Sequence, residues 1–172
     1  MPQIGRKLTG NAKMRDRSMP FQTRISGYAS LFNQPDLGGD TIVPGAFGRS
    51  LQSRPAKAVK MLYQHDISRP IGRWTRLAET AHGLWVEGYL VAHVRLCDEL
   101  SALMQAGALD GLSIGYRPVK ARGGRGQTRR YLEQVDLLEI SIVTFPMQPL
   151  ARLRADPIAA GQATKRHQGH EV

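Results

Sequence analysis

Apolar residues recur along this chain in short runs with a two-residue period, interrupted by glycine, proline and asparagine. That pattern predicts strands and turns. Residues 24–32 read as a strand with Ile25, Tyr28 and Leu31 as its apolar content, and 33–39, with Asn33, Pro35, Asp36, Gly38 and Gly39, as a turn. Thr41-Ile42-Val43 predicts a short strand, and Pro44 opens a helix through Leu51, since proline suits a first helical turn. Residues 58–65 are strand-like. Residues 71–79 and 83–91 predict a hairpin joined by Thr80-Ala81-His82, with Leu84, Val86 and Leu90 on one face and Trp85, Glu87 and Tyr89 on the other.

The spacing changes over 94–106, where Leu96, Cys97, Leu100, Leu103 and Met104 share one helical face and Gly107 is a stop signal. Residues 112–119 are again strand-like, and 121–127, rich in glycine and arginine, read as a mobile hairpin connection. Residues 131–145 form one long strand or two collinear ones, stopped by Pro146 and Pro149. No internal repeat is visible. Six or seven strands and two helices imply a mainly β (α+β) domain, an antiparallel-rich barrel or sandwich with flanking helices.

The ends differ from the middle. Residues 1–20 are polar, basic and unpatterned, which predicts a mobile basic arm; 153–172 predict a basic disordered tail; 21–152 remain as the domain. At 172 residues the chain accommodates one such domain. Its net charge of +10 suggests an acidic partner, or simply a solvated basic surface, because much of the excess sits in residues 1–24, 122–130 and the last twenty. Cys97 is the single cysteine, so no disulfide within the chain and no thiolate metal site can form, and a reducing compartment is expected. With no apolar leader segment and no run near membrane-span length, a soluble cytoplasmic protein is expected.

The chemistry centres on Leu109-Asp110-Gly111-Leu112-Ser113-Ile114-Gly115-Tyr116, where a serine sits between glycines in apolar surroundings. Gly111-x-Ser113-x-Gly115 formally matches a nucleophile elbow, but that motif needs a strand before the serine and a helix after. Here the helix precedes and a strand follows. A nucleophilic serine needs a base and an orienting acid. His65, ending the run Met61-Leu62-Tyr63-Gln64-His65, is the candidate base, or else a polar strand-end residue; His82 and His93 read as surface residues. Glu139 interrupts Val135-Asp136-Leu137-Leu138-Glu139-Ile140-Ser141-Ile142-Val143, and a carboxylate among apolar neighbours needs a partner, for which an imidazole serves. An exposed edge strand would also account for it. Asp66 is a poorer third group because adjacent strand residues point to opposite faces. Ser113 itself could be a small residue where strands pack closely. No zinc-protease pattern, phosphate loop or dinucleotide glycine run is present, and Gly123-Gly124-Arg125-Gly126 lacks the repetition and aromatics of a nucleic-acid-binding element.

Taken in order, several segments resemble the prohead (capsid maturation) serine proteases of tailed bacteriophages, the Hong Kong 97 type. They are Gly27-Tyr28-Ala29-Ser30-Leu31-Phe32, Gly39-Asp40 with Val43-Pro44-Gly45-Ala46-Phe47, Gln64-His65-Asp66 with Pro70-Ile71-Gly72, and Gly83-Leu84-Trp85-Val86-Glu87-Gly88. Ala106 to Tyr116 and Asp136 to Pro146 complete the set, which spans about residues 24–152. The resemblance implies a closed β-barrel similar to herpesvirus assembly proteases, with His65 as general base, Ser113 as nucleophile and Glu139 as orienting acid. Met147-Gln148-Pro149 departs from the family's pattern, so the oxyanion site near 145–148 is left unassigned.

The activity so implied is serine endopeptidase action, without a cofactor or metal, on the scaffold segment of the major capsid protein and on the protease itself, inside the procapsid in the bacterial cytoplasm. No membrane and no specific nucleic acid ligand is implied. The alternatives are a non-enzymatic basic capsid-associated or DNA-binding assembly protein, which would bind DNA in a salt-sensitive way, and an inactive protease-like scaffold.

Overall fold

A computed structural model describes residues 21–158. The expected basic arm over 1–20, and the expected tail beyond 158, lie outside the described residues. Eight strands and two short α-helices follow one another as β1 (Phe21–Leu31), β2 (Asp40–Ile42), α1 (Gly48–Ser53), β3 (Lys60–Tyr63), β4 (Asp66–Glu79), β5 (Gly83–Val91), α2 (Arg95–Gln105), β6 (Gly111–Gly123), β7 (Arg130–Val143) and β8 (Leu153–Pro157). The period-2 and helical patterns foretell most of these. On β5, Leu84, Val86 and Leu90 are buried, whereas Trp85, Glu87 and Tyr89 are half-buried on the other face. On α2, Cys97, Leu100 and Met104 enter the core but Leu103 stays exposed.

Four local expectations are corrected. Pro44 does not open a helix: the chain turns through Gly45, at φ 89°, and α1 starts at Gly48. His65 lies not on a strand but in the turn after β3. The connection expected over 121–127 begins later, at residue 124, because Ala121, Arg122 and Gly123 still belong to β6, which pairs with β7 as far as Gly123↔Arg130. The tail expected from 153 begins as β8, antiparallel to β1 from Gly27↔Leu153 to Thr23↔Pro157.

All eight strands belong to one sheet, in the order β2-β7-β3-β4-β5-β1-β8 with β6 also on β7. β6 covers one edge of β7 along its whole length, so β2 and β3, both parallel to β7, share the other edge in tandem at Asp40↔Arg130 and Lys60↔Glu139. The expected closed barrel does not form. β8 is committed to β1 and meets β6 only at an isolated bridge, Gly111↔Arg152, with Leu112 N–H donating to Ala151 O (3.0 Å) and Leu153 N–H to Asp110 O (2.8 Å). Beyond that point β6 departs as a ribbon with β7, and its residues 117–123 are exposed. Inside the curled sheet, Ile25, Phe47, Met61, Ile71, Trp74, Leu84, Leu90, Leu100, Leu112, Leu137 and Ile140 make up a continuous buried core.

β7 changes phase partway along. Val135 and Leu137 are buried, and so are Ile140 and Ile142, a spacing no regular strand allows. The register explains it: Tyr116 faces Leu137 while Gly115 faces Glu139, so Leu138 is the extra residue of a β-bulge. Without that bulge Glu139 would point where Ile140 now does, into the core. The bulge also lies opposite the gap between β2 and β3, where β7 has no strand partner on that edge. The segment around α1 fills the gap: Val135 N–H donates to Ala46 O (3.0 Å), Leu137 N–H to Ser50 Oγ (2.9 Å), and the Arg54 guanidinium to Leu137 O. Arg54 also pairs with Asp136 at 3.1 Å. Ser50→Ala strands the buried Leu137 N–H and is expected to cost about 1–3 kcal/mol of folding stability; urea unfolding measures it, and an unchanged midpoint would contradict this account of the bulge.

Candidate active site

The bulge turns Glu139 and Ser141, two residues apart on β7, to the face that meets the β3–β4 turn. That turn is a two-residue hairpin closed by Tyr63↔Asp66, and both central residues, Gln64 (φ 55°) and His65 (φ 60°), have left-handed backbones. Positive φ at both positions is the habit of hairpin turns that favour Asn-Gly, so placing glutamine and histidine there costs about 1–3 kcal/mol each. β7 holds the strained turn. Gln64 N–H donates to Ile142 O (3.0 Å), Gln64 Nε2 to Thr144 Oγ1 (2.7 Å), and His65 N–H to Ser141 Oγ (3.0 Å).

So fixed, the imidazole reaches the carboxylate. His65 Nδ1 lies 2.6 Å from Glu139 Oε1, and Ser141 Oγ donates to Glu139 Oε2 at 2.6 Å. A carboxylate only accepts, so the proton of this pair sits on Nδ1 and Nε2 is left with its lone pair. The His65 side chain is 45% exposed and that of Glu139 13%. Glu139's hydrogen bond and charge raise the pKa of His65 above 6.5, against an opposing effect of partial burial. Asp66, set aside on strand geometry, turns away to Ser68 (2.6 Å) and Arg69 (3.1 Å).

Gly115, directly opposite Glu139, makes the arrangement sterically possible. A Cβ there would overlap Glu139 Oε1 and approach its Cδ and Cγ to 2.8 Å. The glutamate side chain therefore lies across a backbone that must carry no side chain.

Two residues before Gly115, Ser113 pairs across the strands with Ser141 and is 5% exposed. Ser113 and His65 line one cavity of about 460 Å³, walled by Ala29 and Ser30 of β1, by Leu112, Ile114 and Tyr116 of β6, and by the 34–38 and 145–148 loops. No hydrogen bond joins Ser113 to His65. Contacts of this kind are often long without substrate and tighten when it binds. Leu37, Phe145 and Met147 leave large apolar side chains exposed on the rim, Phe145 at 89%. On the same cavity Asp40 accepts from Tyr116 Oη (2.7 Å) and from Arg130 Nε and Nη2 (2.6 and 2.8 Å). Arg130 holds the Asp40 carboxyl below its usual range, while burial and Asp40 push the Tyr116 phenol up. Gln148, within the stretch considered for an oxyanion site, has its amide engaged by Leu31 N–H (2.5 Å), Leu31 O (3.0 Å) and Gln34 O (3.1 Å).

The structure thus brings His65 and Glu139 into contact and sets Ser113 on the same cavity. His82 and His93 lie elsewhere: His82 in the β4–β5 turn edge-on to Tyr28, His93 at φ 64° before α2. Ser141 and Gly115 escaped the sequence reading. The signal for the first was a hydroxyl two residues from a glutamate set among apolar residues on one strand; for the second, register alone would have revealed it. Among the described residues, no group of three or more histidine, cysteine or acidic side chains is placed to hold a metal, and no helix is long and apolar enough to cross a membrane.

Solved structures resemble this fold. A KSHV protease in complex with a hexapeptide phosphonate inhibitor superposes with a TM-score of 0.56, at 12% identity over 78% of this chain and 65% of that one. The varicella-zoster virus protease does so at 0.50, with 14% identity over 78% of this chain and 64% of that one. The architecture is that of the herpesvirus proteases. In sequence, the prohead protease of Enterobacteria phage HK97 is 36% identical over 151 residues, covering 87% of this chain and 63% of the relative. The prohead protease of Escherichia phage T5 is 28% identical over 124 residues, covering 72% and 58%. The chain spans about three fifths of the length of these relatives. The model of the caudovirus prohead serine protease family matches residues 11–165, and the chain belongs to that family.

If Glu139 raises the His65 pKa, then removing or displacing its carboxylate should lower it. Glu139→Gln, and Gly115→Ala by steric displacement, are both expected to move the His65 titration followed by NMR to lower pH. A titration unmoved in Glu139→Gln would contradict the assigned cause.

Proposed function

We propose that this chain is a serine endopeptidase of capsid maturation, with Ser113 as nucleophile, His65 as general base and Glu139 as orienting acid. Its substrate is the scaffold segment of the major capsid protein inside the assembling procapsid, with its own chain as a second substrate. The observation that carries this reading is the 2.6 Å His65–Glu139 hydrogen bond at a cavity that also holds Ser113, in a chain of the prohead protease family.

The chemistry follows from the parts. Ser113 Oγ attacks the scissile carbonyl carbon as its proton passes to His65 Nε2. Glu139 keeps the other imidazole proton on Nδ1 and stabilises the imidazolium. Collapse of the tetrahedral intermediate breaks the C–N bond, and the proton on Nε2 leaves with the amine. Water, deprotonated by the same imidazole, then attacks the acyl-serine ester and restores the Ser113 hydroxyl. No metal or cofactor is required by any step. The exposed apolar rim of Leu37, Phe145 and Met147 suits the side chains of an extended substrate peptide.

Co-expression with the matching capsid protein tests the reading. Shortening of the capsid protein is expected with the native chain and should fall at least about 10³-fold in rate with Ser113→Ala or His65→Ala; equal shortening by all three chains would refute it. Glu139→Gln should retain partial activity, reduced about 10²-fold.

The pH dependence has a definite sign. A general base acts only when unprotonated, and Glu139 keeps His65 protonated to higher pH than an ordinary imidazole. The acid limb of kcat/KM should therefore lie above about pH 6.5 and move to lower pH in Glu139→Gln. A limb at or below the ordinary histidine value would show that the pair does not act on catalysis as described.

A further inference from the structure

Ser141 is polar, wholly buried, and takes no direct part in the steps above. Both of its side-chain hydrogen bonds go to the His65–Glu139 pair. Its oxygen accepts from the His65 backbone N–H at 3.0 Å, and its hydroxyl donates to Glu139 Oε2 at 2.6 Å. A hydroxyl has one proton to give, so the direction of the network is fixed: the main-chain N–H of the turn donates to Ser141, and the Ser141 hydroxyl and the imidazole Nδ1–H both donate to the carboxylate. Each link is tied to a different element of strain or burial. The N–H belongs to a residue at φ 60°, which local sterics disfavour. The carboxylate lies across Gly115, with no side chain of β6 to hold it in place.

We infer that Ser141 is a positioning residue, a buried clamp that holds the strained His65 turn and the Glu139 carboxylate in the one mutual geometry that orients the imidazole toward Ser113. The inference rests on the proposed roles of His65, Ser113 and Glu139 and extends them to a fourth side chain. Because Ser141 faces Ser113 across the β6–β7 ladder, the clamp and the nucleophile ride on neighbouring strands, and a shift of the clamp changes the approach of imidazole to hydroxyl directly. Displacements of about 1 Å at such a site can cost on the order of 10²-fold in rate.

A merely structural serine and a positioning serine differ in how their loss combines with that of Glu139. Removing Ser141 should lower kcat about 10–100-fold, with KM changed less than about 2-fold, and move the acid limb of the rate profile in the direction expected for Glu139→Gln. In the Glu139→Gln background the same change should cost less than about 3-fold, because the geometry it protects is already lost. The charged group that acts on the imidazole is Glu139; Asp66, next to it in the turn, is engaged by Ser68 and Arg69, and Asp36, Asp40 and Tyr116 line the same cavity. None of these is altered by the substitution.

The experiment compares Ser141→Ala and the nearly isosteric Ser141→Cys, alone and with Glu139→Gln, in kcat, KM and pH profile on a peptide spanning the capsid cleavage junction. Melting temperatures are recorded for each, and the cysteine variant serves if alanine does not fold. Non-additive losses with a shifted limb support the clamp. Full activity in the folded Ser141 variants, or a loss that adds fully to that of Glu139→Gln with an unmoved limb, overturns it. Ser113→Ala is run alongside: if that variant still cleaves, the protease reading itself fails, whereas an inactive Ser113→Ala beside fully active Ser141 variants removes only the clamp.

Discussion

The arrangement depends on one constraint: a carboxylate set within a β-sheet has to be turned out of the core and given partners. Glu139 meets that constraint through a β-bulge at Leu138, a glycine opposite it at 115, and acceptor contacts to His65 and Ser141 at 2.6 Å each. An ionisable group so placed without partners would cost several kcal/mol. With them, the same enclosure strengthens its pull on the imidazole, since charges interact more strongly away from water.

The strain elsewhere follows from that requirement. His65 reaches Glu139 only from the tip of a tight hairpin, where its backbone and that of Gln64 take left-handed conformations. The hydrogen bonds from Gln64 and His65 to Ile142, Ser141 and Thr144 hold the turn against β7, so the strand that carries Glu139 also holds His65. Further along the same edge of β7, the α1 segment supplies Ser50 and Arg54 to the backbone groups that the gap between β2 and β3 leaves without a strand partner. The short helix thereby maintains the phase of β7, and through it the direction in which Glu139 points.

Much of this was legible beforehand where chemistry and periodicity coincide. The alternation Leu84-Val86-Leu90 and the helical face of α2 come straight from burial. The glutamate among aliphatic residues announced a partner because charges are seldom buried alone. What stayed hidden was set by long-range pairing. The three-residue step from Leu137 to Ile140 is visible in the sequence, but only the register with β6 makes it a bulge. Gly115 looks like any strand glycine until Glu139 is seen to cross it. Arg154 and Asp156 look like tail composition, yet β1 takes their backbone as an edge strand. The barrel expectation failed for a related reason: edge strands join or stay apart according to where each is already committed, and β8 is committed to β1.

The central claim is that the Ser113 hydroxyl is activated by the imidazole that Glu139 orients. Covalent labelling with a fluorophosphonate, read by peptide mass spectrometry, tests it most directly, because the reagent marks only a serine made nucleophilic by its surroundings. The account predicts a single phosphonylated peptide carrying Ser113 in the native chain and loss of that label in His65→Ala. Labelling at another serine, or undiminished labelling of Ser113 without His65, would contradict it.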